Sequence, residues 1–275
     1  MRLESQFIFV CLILISLFAM AAGNSASGQA ADPPPAPAKT EPSASRIEPP
    51  AENHRFPNGQ TYFYEAEWRL WKAGTAALRM ETAGTEQRVT GTADSVGFVS
   101  LLYSVHDRLE SFFNPLTFCS SRISKHTEEG VRKRDIQIHL DYGRQRGIFD
   151  EKNLNTGESK HTEHEIPACV TDVISAIYYV ASLPLQPGRS FMFPVNDGSI
   201  KRDVRVTVEA REDIKTDAGT FRTLRVQPES DYGLLHKKGK MWLWYSDDAA
   251  RIPVQMRAHM FWGTLTVRLQ RVERH

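Results

Sequence analysis

Polar and apolar residues alternate with a period of two through most of the chain beyond residue 56. In YFYEAEWRL the apolar positions are Tyr62, Tyr64, Ala66, Trp68 and Leu70, with Glu65, Glu67 and Arg69 between them. Ala76, Leu78 and Met80 continue the pattern after Gly74, and DVRVTVEA repeats it with Val204, Val206, Val208 and Ala210. Successive strand side chains point to opposite faces, so these runs predict antiparallel strands with one wet face and one dry face. Turn residues recur at Ala83-Gly84, Glu129-Gly130, Asn155-Thr156-Gly157, Asp197-Gly198 and Asp217-Ala218-Gly219, as in a meander of hairpins.

One segment departs from this period. VTDVISAIYYVASLPL places Val173, Ile177 and Val180 at helical spacing, with Ile174, Tyr178 and Ala181 beside them. Thr171 or Asp172 supplies the cap and Pro184 the stop, which predicts one amphipathic helix over about 171–183. The expected fold is therefore mainly β. A long meandering antiparallel sheet of about ten strands curls into an open or partial barrel, with the helix packed on its concave face.

The C-terminal run changes phase. Val254, Met256, Ala258, Met260 and Trp262 are apolar on even positions, whereas Leu265, Val267 and Leu269 are odd. A regular strand cannot do this, since one extra residue sends every later side chain to the other face. Phe261 to Thr264 holds a single glycine and no Asn or Asp, which is poor turn chemistry. A bulge or bend at Gly263 is expected in preference to a hairpin, with Met260 and Leu265 facing one interior.

The N-terminal end reads differently. Arg2 precedes an apolar run from Phe7 to Met20, and Ala19-Met20-Ala21 and Ala21-Ala22-Gly23 both fit a small-x-small cleavage site. Residues 1–23 are thus expected to be a secretory signal, and the run is short for a membrane span. Glu4 weakens the basic start, so retention as an anchor is the alternative, and only then would the chain meet a membrane. Cys11 sits in this run without the Leu-small-small-Cys pattern of lipidation. Residues 24–55, including ADPPPAPAKTEPSASRIEPPAE, lack apolar periodicity and read as a disordered, Pro-rich extended tether. Residues 56–275 form a single β-rich domain. The address is the periplasm or cell envelope of a bacterium.

Beyond the signal two cysteines remain, Cys119 and Cys169. In an oxidising compartment such a pair forms a disulfide; a redox role lacks both a Cys-x-x-Cys and an adjacent base. Hairpin pairing around Glu129-Gly130 sets Ile123 opposite Ile136, His126 opposite Lys133 and Cys119 opposite Leu140. Cys119 would then point inward and the bridge would staple the helix to the sheet.

Lys and Arg number 34 against 33 Asp and Glu, so no basic stripe invites nucleic acid. The stretch KHTEHE (160–165) invites a metal, but it lies between a glycine turn and Pro167, at strand length. On a strand, residues three apart face opposite ways, so His161 and His164 cannot close on one ion, and the order does not fit a zincin. HKKGK (236–240) reads as a solvated hairpin tip, and Asp247, Asp248 and Arg251 as a tight turn. No phosphate loop, nucleophile elbow or triad is present, and no catalytic, metal or cofactor residue is nominated.

LPLQPGRSFMFPVNDG, TDAGTFRTLRVQP and KKGKMWLWYSDDAARIPVQM resemble the pattern of an exported bacterial family known as domain of unknown function 3108. YEAEWRLWKAGTAALRM is similar to that family's opening hairpin. The resemblance runs from about Gly59 to Val272 and is sharpest in AGTFRTLRV and SDDAARIPV. It implies an open barrel similar to the periplasmic carriers of lipoproteins, and it brings no activity with it.

The expected function is non-enzymatic: a lipid-like or other apolar ligand, or an envelope protein partner, held in the curled-sheet hollow. Its expected lining is Trp68, Leu78, Met80, Ile136, Ile138, Tyr178, Trp242, Met256 and Met260. An assembly module binding protein through an exposed sheet edge is the alternative, and an enzyme without a recognisable motif the third. N-terminal sequencing of the exported protein is expected to find its first residue between Ala22 and Ala31; a start at Met1 would show the segment retained.

Overall fold

The structure is a computed structural model that describes residues 45–50, 54–69, 71–196, 201–230, 239–260 and 263–275. The expected signal, HKK of HKKGK and Trp262 lie outside these residues. The chain builds β1 (Gln60–Trp68), β2 (Trp71–Ala83) and β3 (Glu86–Ser95), then a short helix α1 (Gly97–Leu102). The meander continues through β4 (Val105–Phe113), β5 (Ser120–Glu129), β6 (Arg132–Asp141), β7 (Arg146–Asn153) and β8 (Ser159–Glu165). A two-residue strand β9 (Thr171–Asp172) leads into α2 (Val173–Ser182). The second half is β10 (Ser190–Asn196), β11 (Lys201–Thr216), β12 (Gly219–Ser230), β13 (Lys240–Ser246), β14 (Pro253–Met260) and β15 (Gly263–Arg274).

All fifteen strands join one sheet, in the order β8-β7-β6-β5-β4-β3-β2-β1-β15-β14-β13-β12-β11-β10-β9. The two meanders meet where β15 returns to β1, pairing Trp68 with Leu265 and Gln60 with Arg274. Every pairing is antiparallel except the short β9–β10 contact. The edges β8 and β9 do not pair with each other, so the barrel stays open. The sheet exceeds the expected ten strands; two of its hairpins, β1–β2 and β14–β15, have no Gly, Asn or Asp between their strands. The expected single helix likewise has a companion, since the six residues of α1 are too few to display a helical period.

Alternation sets the core. Tyr62, Tyr64, Ala66, Met80, Val89, Leu109, Val206, Val208, Leu243 and Leu269 all turn to the concave face, where Ile174, Ile177, Tyr178, Tyr179 and Val180 of α2 meet them. Asp172 caps the helix, its Oδ1 accepting from the amides of Ile174 (3.0 Å) and Ser175 (3.1 Å). Its Oδ2 accepts from Ser111 Oγ of β4 (2.5 Å) and Ser120 Oγ of β5 (2.6 Å). One buried carboxylate therefore both starts the helix and fixes it to two strands. Residues 45–50 of the expected tether also pack here: Glu48 N donates to Tyr179 Oη (3.0 Å), and Ile47 rests against the core.

Three register expectations change. The β5–β6 turn is Gly130-Val131, with Glu129 paired to Arg132. Ile123 therefore faces Ile138, and His126 faces Asp135 rather than Lys133, a slip of two residues that keeps the faces unchanged. The phase change near Gly263 is a two-residue hairpin, Met260 pairing with Gly263, not a bulge. Gly263, at φ +147, supplies the backbone conformation that the expectation assigned to a bend. The phase argument itself holds, because Leu265 pairs with Ala258 and shares its face.

Cys119 does not point inward. A register shift sets Phe113 opposite Ser120 and Phe112 opposite Arg122, leaving Ser121 as the extra residue, so positions before it reverse face. Phe118, at φ +57, turns its ring into the core against Phe113, and Cys119 turns to the half-exposed rim. There it bonds Cys169, with Cα atoms 5.0 Å apart. The bridge still ties the β4–β5 turn to the segment entering α2, beside Ser120 N donating to Val170 O (2.9 Å). Replacing both cysteines with Ser is expected to lower unfolding stability by up to about 4 kcal/mol in the chain-entropy account. The urea midpoint, compared with the parent chain at equal slope, measures it.

Candidate functional site

Where α2 crosses the sheet, the fit is incomplete. A cleft of about 80 Å³ is lined by Tyr64, Ala66, Ala76, Leu78, Ala93, Leu109, Ile174, Ile177, Leu243, Met256, Leu265 and Val267, with Thr75, Thr92 and Gln255 its main polar neighbours. Small residues create the space. Ala76 pairs with Ala93, and Leu78 with Gly91. A Cβ on Gly91 would lie 2.7 Å from Ile174 Cδ1, so the helix rests directly on the glycine backbone and stands off the alanines beside it.

Of the nine lining residues expected from sequence, Leu78 and Met256 border this cleft. Met80 and Tyr178 are buried in the packing around it, and Trp68 is half-buried against the same core. Ile136 and Ile138 belong to a second cluster with Ile123, Leu140, Phe149, Ile166 and Val170. Trp242 is a correction. Met241 and Leu243 pair with Ala258 and Met256 on the inner face, so the residue between them faces the other way, opposite Arg257. The side chain of Met260 lies outside the described residues. Sequence reading missed Ala76, Gly91 and Ala93; alternate small residues on a strand are their only signal.

Around the cleft the core holds several tyrosines. Tyr64 Oη donates to Pro253 O (2.9 Å) and Tyr245 Oη to Ile177 O (2.9 Å). Tyr178 Oη is buried without a hydrogen-bond partner among the described residues. Burial pushes the Tyr62 phenol up to about 12 and also raises those of Tyr64, Tyr178 and Tyr245. They are neutral, proton-bearing groups across the physiological range.

Cross-strand from Ala93 sits Asp107, which pairs with Thr127 on its other side. It is 1% exposed, and its Oδ1 accepts from Glu128 N (3.1 Å) while Oδ2 has no partner among the described residues. Burial first, then the Glu129 carboxylate, push its pKa up to about 8.

The polar stretches that suggested chemistry resolve into strand surface. KHTEHE is β8, with His161 exposed and bonded through Nδ1 to Asp150 (2.7 Å). His164 turns to the other face, where its Nε2 lies 3.2 Å from Asn196 Nδ2. The upstream His126 is held by Asp135 (2.6 Å), which raises its pKa. Asp248 Oδ1 accepts from the amides of Ala250 and Arg251, closing the expected turn, and Asp247 bridges Arg251 and Arg211. Among the described residues no three His, Cys, Asp or Glu side chains converge as a metal site would require.

A single mainly β sheet, curled but not closed, over an apolar cleft defines the class: an open, barrel-like β protein. The chain belongs to the family of proteins of unknown function DUF3108, whose pattern matches residues 64–270. In fold it is similar to a beta-barrel-like protein of domain of unknown function DUF1849 from Brucella abortus. The TM-score is 0.51 at 9% identity, over 78% of this chain and 97% of that one. A more distant likeness, to a YmcC-like fold from Bacteroides fragilis, has a TM-score of 0.35 at 7% identity, over 84% and 100% of the two chains. No curated protein matches the sequence.

Because the folded pKa of Asp107 lies above its ordinary 3.8, the folded state favours the protonated form. Its contribution to stability is complete below about pH 4 and is lost as pH rises towards about 8. Relative to Asp107→Asn, the parent chain is expected to lose up to about 1.4 kcal/mol per pH unit in that window. Melting curves of both proteins across the range measure the difference, which should vanish at the acid end.

Proposed function

We propose that the protein is a non-catalytic component of the bacterial cell envelope that holds the end of an apolar chain beneath α2. The observation that carries this reading is the cleft, where side chains from both meanders and from the helix present apolar groups to space they do not fill. Its size limits the ligand. At about 80 Å³ it is roughly half the dry cavity of about 150 Å³ that accommodates a benzene ring. It fits a few carbons of a tail and not a whole lipid. The open mouth leaves the remainder of the ligand outside. The leader, the Pro-rich tether and the disulfide support the exported address.

Binding through a sheet edge has less support. The β8 edge is KHTEHE, a charged row of the kind that blunts edge pairing, and the opposite edge is only two residues long.

Native mass spectrometry of protein taken from its own host is expected to show a co-purifying amphiphile. Ala93→Phe, filling the cleft from a half-exposed position, is expected to abolish that species while the melting temperature is kept. Retention of the ligand in Ala93→Phe would remove the cleft from the account.

A further inference from the structure

Exposed apolar side chains are concentrated at one end of the molecule. The most exposed large hydrophobic residues among the described ones are Trp71, Phe98, Leu101, Leu102, Leu116, Val131 and Leu154. Six of these seven lie on a single rim of the sheet, at the passages from β1 to β2, β3 to β4, β5 to β6 and β7 to β8. Only Leu116, between β4 and β5, lies on the other. Turns on that other rim are polar or small, as at Gly84-Thr85, Tyr142 to Gln145, Asp217-Ala218 and Asp247 to Ile252.

Four of the six form one patch. Trp71 pairs with Trp68 across the β1–β2 turn. The helix α1 lies against the start of β2, Val96 N donating to Ala73 O (3.0 Å). Val99 turns towards the core, while Phe98 (64% exposed), Leu101 (83%) and Leu102 (54%) stand outward beside Trp71 (67%).

We propose that this rim docks on a phospholipid bilayer, with Trp71, Phe98, Leu101 and Leu102 entering the boundary between headgroups and acyl chains. The patch is small for a protein partner: the four side chains expose on the order of 500 Å². A stable interface takes about 800 Å² from each side. It is a row of projecting tips, and Trp with Leu and Phe suits the interfacial zone of a membrane. Arg69 and Lys72, both exposed, lie within two residues of Trp71 at this rim, Lys72 in an ion pair with Glu65 for which anionic headgroups would compete.

The path of the chain agrees. Ser45 Oγ donates to Asp203, the third residue of β11, whose start belongs to this same rim. The described chain thus enters the domain at Ser45, on the side that would face the bilayer. The inference stands apart from occupancy of the cleft, because docking needs only the outward side chains.

The test uses the exported chain with Cys11→Ser, where that residue is retained, and Leu101→Cys carrying an environment-sensitive fluorophore; Cys119 and Cys169 are already bonded. Vesicles of phosphatidylcholine, with and without phosphatidylglycerol, should shift the probe to an apolar signal whether or not the leader is kept. Trp71→Ser with Phe98→Ser, at exposed sites that leave the fold intact, should weaken that response at least about tenfold. Leu116→Ser on the other rim should not change it. An unshifted probe, a full response in the double variant or an equal loss in Leu116→Ser would each overturn the proposal. So would concentration-dependent self-association, without vesicles, that the double variant abolishes, since the patch would then be an interface between copies.

Discussion

The carboxylate of Asp172 is the point at which helix and sheet become one structure. It receives two amides at the start of α2 and two hydroxyls, from Ser111 and Ser120, on neighbouring strands. Bonds to a charged acceptor contribute about 1.5–3 kcal/mol each, and losing the acceptor would leave buried donors unsatisfied. Tyr142 Oη, which donates to Ser120 O (2.6 Å) and lies 3.1 Å from Val170 O, and the Cys119–Cys169 bridge brace the same corner. Everything the concave face does follows from where this corner puts the helix. A sheet this wide has no intrinsic reason to bury that face, and α2 is the element that covers it.

Position at the corner then dictates the gap further along. With its start fixed, α2 meets Gly91 directly through Ile174 and passes over Ala76 and Ala93 without filling the space above them. Among the polar residues buried on this face, Asp107 lies two residues along β4 from Leu109 of the cleft and is stable there as a neutral acid. Apolar space and a buried acid therefore sit side by side on this face.

Much of this architecture could be read from the residues alone. Alternation at Tyr62, Tyr64 and Ala66 and at Val204, Val206 and Val208 gave strands and faces, and the helix, a cap at Thr171 or Asp172 and the pairing of Cys119 with Cys169 followed from spacing and compartment. What failed was local geometry that periodicity does not encode. The extra residue Ser121 reversed Cys119, and the Met260–Gly263 hairpin has one glycine at its end but Phe and Trp between its strands. Trp242 was placed by its size when the phase of Met241 and Leu243 governed it. The cleft was least legible of all, since it consists of absences: alanine and glycine where a strand usually carries bulk.

The seam between β1 and β15 bears on how such a chain is made. Gln60 pairs with Arg274, and His275 N donates to Gly59 O (2.8 Å), so the first and last strands of the domain are neighbours. Contacts this distant in sequence are slow to form, because the entropy of closing the whole chain must be overcome before they contribute. The meander of β2 to β8 can assemble from local hairpins, but β1 keeps an unsatisfied edge until the final residues arrive. A polypeptide emerging from the ribosome thus cannot complete its sheet before β15 has been made. Were the chain threaded across a membrane in an extended state, that delay would keep it open to passage.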